Sequence, residues 1–209
     1  MDIKTSIKSM GFLFGIPILI NDVIIPFLIL LIRINGSDYN LDQGVYMITQ
    51  MFTPFLACFW TYLHLSKYID TKGNECFYIV HRNKWSEVLK LYILYILTNT
   101  PFFIWYVSMK QKYILEWVHI AIMAFAFVAA AYFFCYLFKS ISLALIPSFL
   151  YLIASITELN AFLNKFSFYE YEGMRDEQLF SKYNYFLIAA IIFAVLGNIL
   201  NKQYDDYNL

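Results

Sequence analysis

Six long apolar runs alternate with polar segments along the chain, at 11–32, 44–65, 91–108, 114–138, 141–157 and 183–200. About 20 apolar residues in a helix cross a hydrocarbon core roughly 30 Å thick, so runs of this length predict membrane-spanning helices. The expected fold is all-α: a polytopic membrane protein with six transmembrane helices, forming one domain over residues 1–209. Pro17 and Pro26 lie inside the first run, Pro101 inside the third and Pro147 inside the fifth. A proline removes a backbone donor and crowds the preceding turn, so bends are expected there. The fourth run carries Ala124, Ala126, Ala129, Ala130 and Ala131. Small side chains let helices approach closely in lipid, which assigns this run to packing.

The polar segments differ in character. Ile3, Ile7 and Met10 share a helical face, with Lys4 and Lys8 on another. Residues 1–10 thus fit a short helix on the membrane surface or, because so short a helix is marginal alone, a frayed tail. A short loop, Arg33 to Gln43, joins the first two runs, and the turns 110–112 and 139–140 are shorter still. Two segments are long. One is Asp70 to Lys90; the other, Glu158 to Lys182, mixes five acids with Phe162, Phe166, Phe168, Tyr169 and Tyr171.

Composition agrees with the pattern. Of 209 residues, 61% are hydrophobic and 14% charged, against about 25% charged in soluble domains. A formal net charge of zero argues against a nucleic-acid partner. The 21% aromatic content suits membrane interfaces; an aromatic-lined substrate route is the functional alternative. Trp60, Tyr62 and His64 close the second run and read as an interfacial signature, with no second metal ligand at zinc spacing near His64. Cys58, Cys76 and Cys135 form no Cys-x-x-Cys pair and read as packing residues. No metal site is expected. The first run is too long for a cleavable signal peptide and has no small-residue cleavage site after it.

Ionisable residues inside the runs are few. Asp22, beside Asn21, is the main one, with His119 near a run's end. A carboxylate at such depth costs roughly 2.5–3.5 kcal/mol on the translocon scale. Either it faces a partner or watery cavity, or the prolines break the span and lift it toward the interface. No Walker A, Gly-x-Ser-x-Gly or His-Glu-x-x-His sequence occurs, so neither an ATP site nor a catalytic residue is expected in this chain.

Six spans put both termini on one side. That side carries nine basic residues (Lys4, Lys8, Lys67, Lys72, Arg82, Lys84, Lys90, Lys139, Lys202) against six on the other. The positive-inside rule then makes the termini cytoplasmic, in a plasma (inner) membrane. Asp70 to Lys90 becomes the one long cytoplasmic segment. Asp70 and Thr71 are helix-starting types, Gly73 permits a bend, and Glu75 suits a helix's first turn. Cys76, Phe77, Ile79 and Val80 supply an apolar side. Trp85 reads as an interfacial anchor, and Lys84 and Lys90 as residues that snorkel to head groups. The segment fits a short helix parallel to the membrane, or a basic loop that only fixes topology.

This layout resembles the membrane (permease) subunit of type-two ABC exporters. In that family an acidic residue and a glycine precede a coupling helix between the second and third spans, and a basic return opens the third. Asp70, Gly73, Glu75, Arg82, Lys84 and Lys90 follow that order, with Phe77 between them. The family also has an interfacial helix before the first span and a partly re-entrant extracellular segment between the fifth and sixth, matched in position by 1–10 and 158–182. The resemblance covers the whole chain in layout, and its local motif is degenerate. It implies a separate ABC ATPase subunit that supplies ATP and Mg, a second permease copy or related permease, and no cofactor in this chain. It makes Asn21 and Asp22 candidates for a translocation route, and Glu170, Glu172, Asp176 and Glu177 candidates for an extracellular gate. The acidic outer segment suits an amphipathic or cationic cargo, such as an antimicrobial or toxic peptide. Three alternatives stand beside it. They are the substrate-binding membrane subunit of an energy-coupling vitamin importer, a lipid-directed membrane enzyme, and an assembly subunit. The importer's span-one small-residue motif is missing, and no ionisable cluster of the kind the enzyme would need is visible in the sequence.

Overall fold

The computed structural model describes residues 3–35, 38–70, 84–111, 113–157, 166–169 and 176–207. Among these every regular element is helical. Helix α1 (Ile3–Met10) is the expected amphipathic leader. Met10 and Ser6 are buried and Lys8 exposed, and α1 packs against the second and third helical regions of the bundle. Gly11, at φ +58°, turns the chain where any side chain would be strained.

The first apolar run is a continuous 24-residue helix, Gly11–Ile34. Its irregularities are taken up by changes in winding. A 3₁₀ turn at Gly11–Phe14 leads into α2 (Gly15–Leu19), a π turn at Ile20–Ile24 and α3 (Ile25–Asn35). In the π turn the Ile25 N–H donates to the Ile20 carbonyl, five residues back. The extra residue falls directly before Pro26, whose missing N–H and bulky ring disturb the ordinary four-residue ladder.

Helix α4 (Asp38–Ile69) spans 32 residues and includes Pro54. The polar segment then lies outside the described residues from 71 to 83. The chain re-enters at α5 (Lys84–Thr98), which bends by 43° into α6 (Thr100–Met109). Pro101 sits in the first turn of α6, so the bend has its expected cause. This third region begins at Lys84, seven residues before the apolar run that announced it. Helix α7 (Tyr113–Phe138) follows, then a two-residue turn with Lys139 at φ 52°. Helices α8 (Ile141–Ile156) and α9 (Asp176–Tyr207) complete the chain.

Three of these helices are long and apolar enough to cross a membrane: Gly11–Ile34, Tyr113–Phe138 and Tyr183–Gln203. The bent pair α5–α6 makes a fourth if it is one span. Helix α4 is long but more polar, and α8 is apolar but short. Every apolar run of the sequence thus falls on a helix or a bent helix pair.

Helix α7 is the central post. It packs most extensively along α9 and α4, and also on α8. Ala124, Ala129 and Ala131 are fully buried, and Ala129 meets Ala190 and Ala194 of α9. The alanine run therefore serves close helix packing, as read from the sequence. Where α9 crosses α7, a Cβ on Gly197 would come within 2.5 Å of the Tyr132 ring and 3.3 Å of the Phe133 Cα.

Candidate functional site

A polar seam runs along one face of α4. Asp42, Tyr46, Thr49, Gln50, Thr53, Trp60, Thr61, His64 and Tyr68 recur at helical spacing, and all but the half-buried Asp42 are buried. From Asp42 to Tyr68 the seam extends about 39 Å at 1.5 Å per residue. Other helices meet it with polar groups of their own, because buried polar atoms need partners.

At one end Asp42 accepts from Lys110 Nζ at 2.7 Å and from Tyr113 Oη at 2.6 Å. Tyr113 stacks on Tyr106, whose hydroxyl lies 3.5 Å from Thr49. One turn deeper, Gln50 donates to Glu116 at 2.8 Å. The buried His119 ring lies over Tyr183, with Nδ1 3.4 Å from the same carboxylate oxygen.

Halfway along, Asn21 of the π turn donates through Nδ2 to the Tyr95 hydroxyl at 2.6 Å. That hydroxyl donates in turn to the Thr53 carbonyl. Asn99, at the α5–α6 bend, donates to the Tyr95 carbonyl at 2.6 Å. The π turn and the bend thus meet through one tyrosine. Below it lies Trp60, whose Nε1 donates to the Phe14 carbonyl and whose ring stacks on Phe14 and meets Tyr95 edge-on.

At the opposite end, Glu87 accepts from His64 Nε2 at 2.9 Å and from Tyr68 Oη at 3.0 Å. Lys84, fully buried, donates to Asn201 of α9 at 3.0 Å, with its ammonium near the Tyr68 and Tyr136 rings. This end joins α4, α5 and α9 beside the segment 71–83. On another side of α7, an apolar groove of about 300 Å³ lies among α7, α8 and α9. Its lining includes Phe127, Pro147, Tyr151, Phe186 and Phe193, and the Tyr151 hydroxyl donates to the Phe166 carbonyl at its rim.

The residues singled out in the sequence fall out as follows. Asn21 is fully buried and Asp22 half-buried, at the centre of an unbroken helix. Asp70 is exposed at the end of α4, where its N–H donates to the Ser66 carbonyl. Gly73, Glu75, Phe77 and Arg82 lie outside the described residues, as do Glu170 and Glu172. Asp176 and Glu177 open the backbone of α9. Lys90 is exposed on α5.

Two expectations are corrected. Lys84 does not snorkel outward; Asn201 and two aromatic rings draw it into the bundle. Trp60, Tyr62 and His64 are not an interfacial belt. Helix α4 continues to Ile69 and turns all three inward, with Tyr62 bonded to Ser148. Trp85, half-buried, packs against Phe125 and Tyr132. Sequence reading also missed the pairing of His64 with Glu87 and of Gln50 with Glu116. The available signal was the three-to-four-residue spacing of Thr49, Gln50, Thr53, Thr61 and His64 along one helical face. Among the described residues no group of three or more His, Cys, Asp and Glu gathers as metal ligands. No family model, curated protein or solved structure matches this chain.

Proposed function

We propose that this chain is the permease subunit of an ATP-driven exporter. Its six helical regions cross the plasma membrane with both termini in the cytoplasm, and a separate P-loop ATPase docks on residues 70–90. ATP and Mg belong to that partner, and a second copy or a related permease completes the transport unit. Cargo is an amphipathic molecule such as an antimicrobial or toxic peptide.

One observation supports the reading: the helices that flank residues 71–83, α4 and α5, are tied to each other and to α9 by buried polar bonds. His64 and Tyr68 of α4 hold Glu87 of α5, and Lys84 holds Asn201 of α9. Buried, well-partnered charges resist separation, because removing one partner strands the other. A displacement of α5 is therefore passed to α4 and α9 through these bonds. That is the mechanical property a coupling element needs. A two-state bundle is shifted only by a ligand that favours one state, and ATPase closure supplies that bias.

The test is affinity capture of the full chain from its native membrane with its neighbours intact. A P-loop ATPase is expected in the captured material, and Glu75→Lys or Arg82→Glu is expected to release it while the chain stays folded. Folded wild-type protein that captures no ATPase overturns the proposal.

A further inference from the structure

The groove among α7, α8 and α9 uses the part of the alanine run that helix packing leaves over. Ala124, Ala129 and Ala131 are fully buried between helices. Ala126 and Ala130 are only half-buried and line the groove, as does Ala189 of α9. Aromatic rings, among them Phe127, Phe186 and Phe193, wall it. Among the described residues no charged side chain lines it. The Ser148 and Tyr151 hydroxyls on its wall are engaged, with Tyr62 and with the Phe166 carbonyl.

Its depth says what surrounds it. Phe127 and Ala130 lie near the middle of Tyr113–Phe138, and Phe193 lies at the middle of Tyr183–Gln203, two helices long and apolar enough to cross a membrane. Nearby positions on α8 and α9, Leu150, Ile188 and Ile192, are exposed apolar side chains. At this depth the choice of occupant is narrow. An empty groove forfeits the dispersion contacts of its lining. Water finds no set of polar partners in so apolar a site. A peptide would bring backbone N–H and C=O groups that nothing in the lining satisfies. One turn of a helix, about 10 Å across and 5.4 Å long, fills roughly 400 Å³, more than the groove's volume of about 300 Å³. A hydrocarbon chain is thin and flexible and needs no hydrogen bond.

We propose that the groove is a binding site for one acyl chain of a membrane lipid. The chain enters sideways from the bilayer and lies against the alanines of α7 and α9, between the aromatic walls. It is thereby held longer than the lipids that merely surround the bundle. The inference requires only that α7 and α9 lie in a membrane, and failure of the ATPase test leaves it intact.

The experiment uses the full chain in phosphatidylcholine nanodiscs that contain a small fraction of the same lipid with a diazirine in mid-chain. After illumination, adducts are mapped along the chain by mass spectrometry. Leu97 and Ile104, exposed apolar residues of α5 and α6 that do not line the groove, report ordinary contact with the bilayer. Labelling at Phe127, Ala130 and Phe193 is expected to exceed labelling at these two severalfold, and to saturate as the photolipid fraction rises. Ala130→Leu puts a larger side chain into the groove. It is expected to lower groove labelling severalfold and to leave labelling at Leu97 and Ile104 unchanged. Equal labelling of the groove and of Leu97 and Ile104 overturns the proposal, as does groove labelling undiminished by Ala130→Leu. A groove without adducts also overturns it, and means that a second copy or another part of this chain fills the space. If Ala130→Leu does not fold, Ala189→Leu gives the same readout, and undiminished groove labelling there overturns the proposal.

Discussion

His64 illustrates what a single side chain does in this protein. Its position near the end of an apolar run suggests a ring resting at the membrane surface, yet the ring is 0% exposed and bonded to Glu87. Replacing it with phenylalanine preserves most of the volume and removes one charge-assisted donor from a buried carboxylate. Loss of one partner from such a pair costs about 3 kcal/mol. His64→Phe should therefore lower the unfolding temperature measured by circular dichroism in detergent, and adding Glu87→Leu should recover part of the loss, since no carboxylate is then stranded. A double variant no better than the single one would show that the pair does not act as a unit. Lys84 makes the same point. In the sequence it is one basic residue among several in a polar segment, and only the arrival of Asn201 from 117 residues further on explains its burial. Such long-range partners leave no local trace, which is why these residues were legible as polar but not as paired.

The apolar runs themselves were legible, because burying backbone in lipid demands helices of a set length. Their ends and irregularities were less so. The Pro101 bend was predictable from the ring's clash with the preceding turn. At Pro26 the chain inserted a π turn instead of breaking, which keeps the helix continuous and rotates Asn21 inward. Boundaries slipped at α5, where Lys84 and Glu87 are helical despite their charge because buried partners receive them. The alanine run was read correctly, since small residues have few other uses in lipid. Its counterparts on α9 are Ala190 and Ala194; further along α9, Gly197→Val is expected to drive the helix off Tyr132. Overpacking of this kind costs about 1–3 kcal/mol. Thermal unfolding of that variant, with Gly15→Ala as a control at an open helical position, checks the packing. An unchanged Gly197→Val would mean that α9 is not seated this closely.

At the scale of the whole molecule, the helices form a bundle around α7 with polar bonds at both ends and at the centre of α4. Glu116, His119, His64, Glu87 and Lys84 are buried in this bundle together with Asn21, Gln50, Asn99 and Asn201. Ionisable residues in membrane helices are rare and typically face the bundle interior and one another. The composition pointed to a membrane protein, and the topology argument singled out residues 70–90. The bonds that tie its flanking helices, α4 and α5, to each other and to α9 emerged only when the helices were brought together. The proposed docking of an ATPase on residues 70–90 has a direct test. The most direct measurement places a photoactivatable phenylalanine analogue at Phe77 in the full chain, in its native membrane. The account predicts a crosslink to a P-loop ATPase whose yield changes when ATP is added. Illumination that labels only lipid or the chain itself, in folded protein, would contradict it.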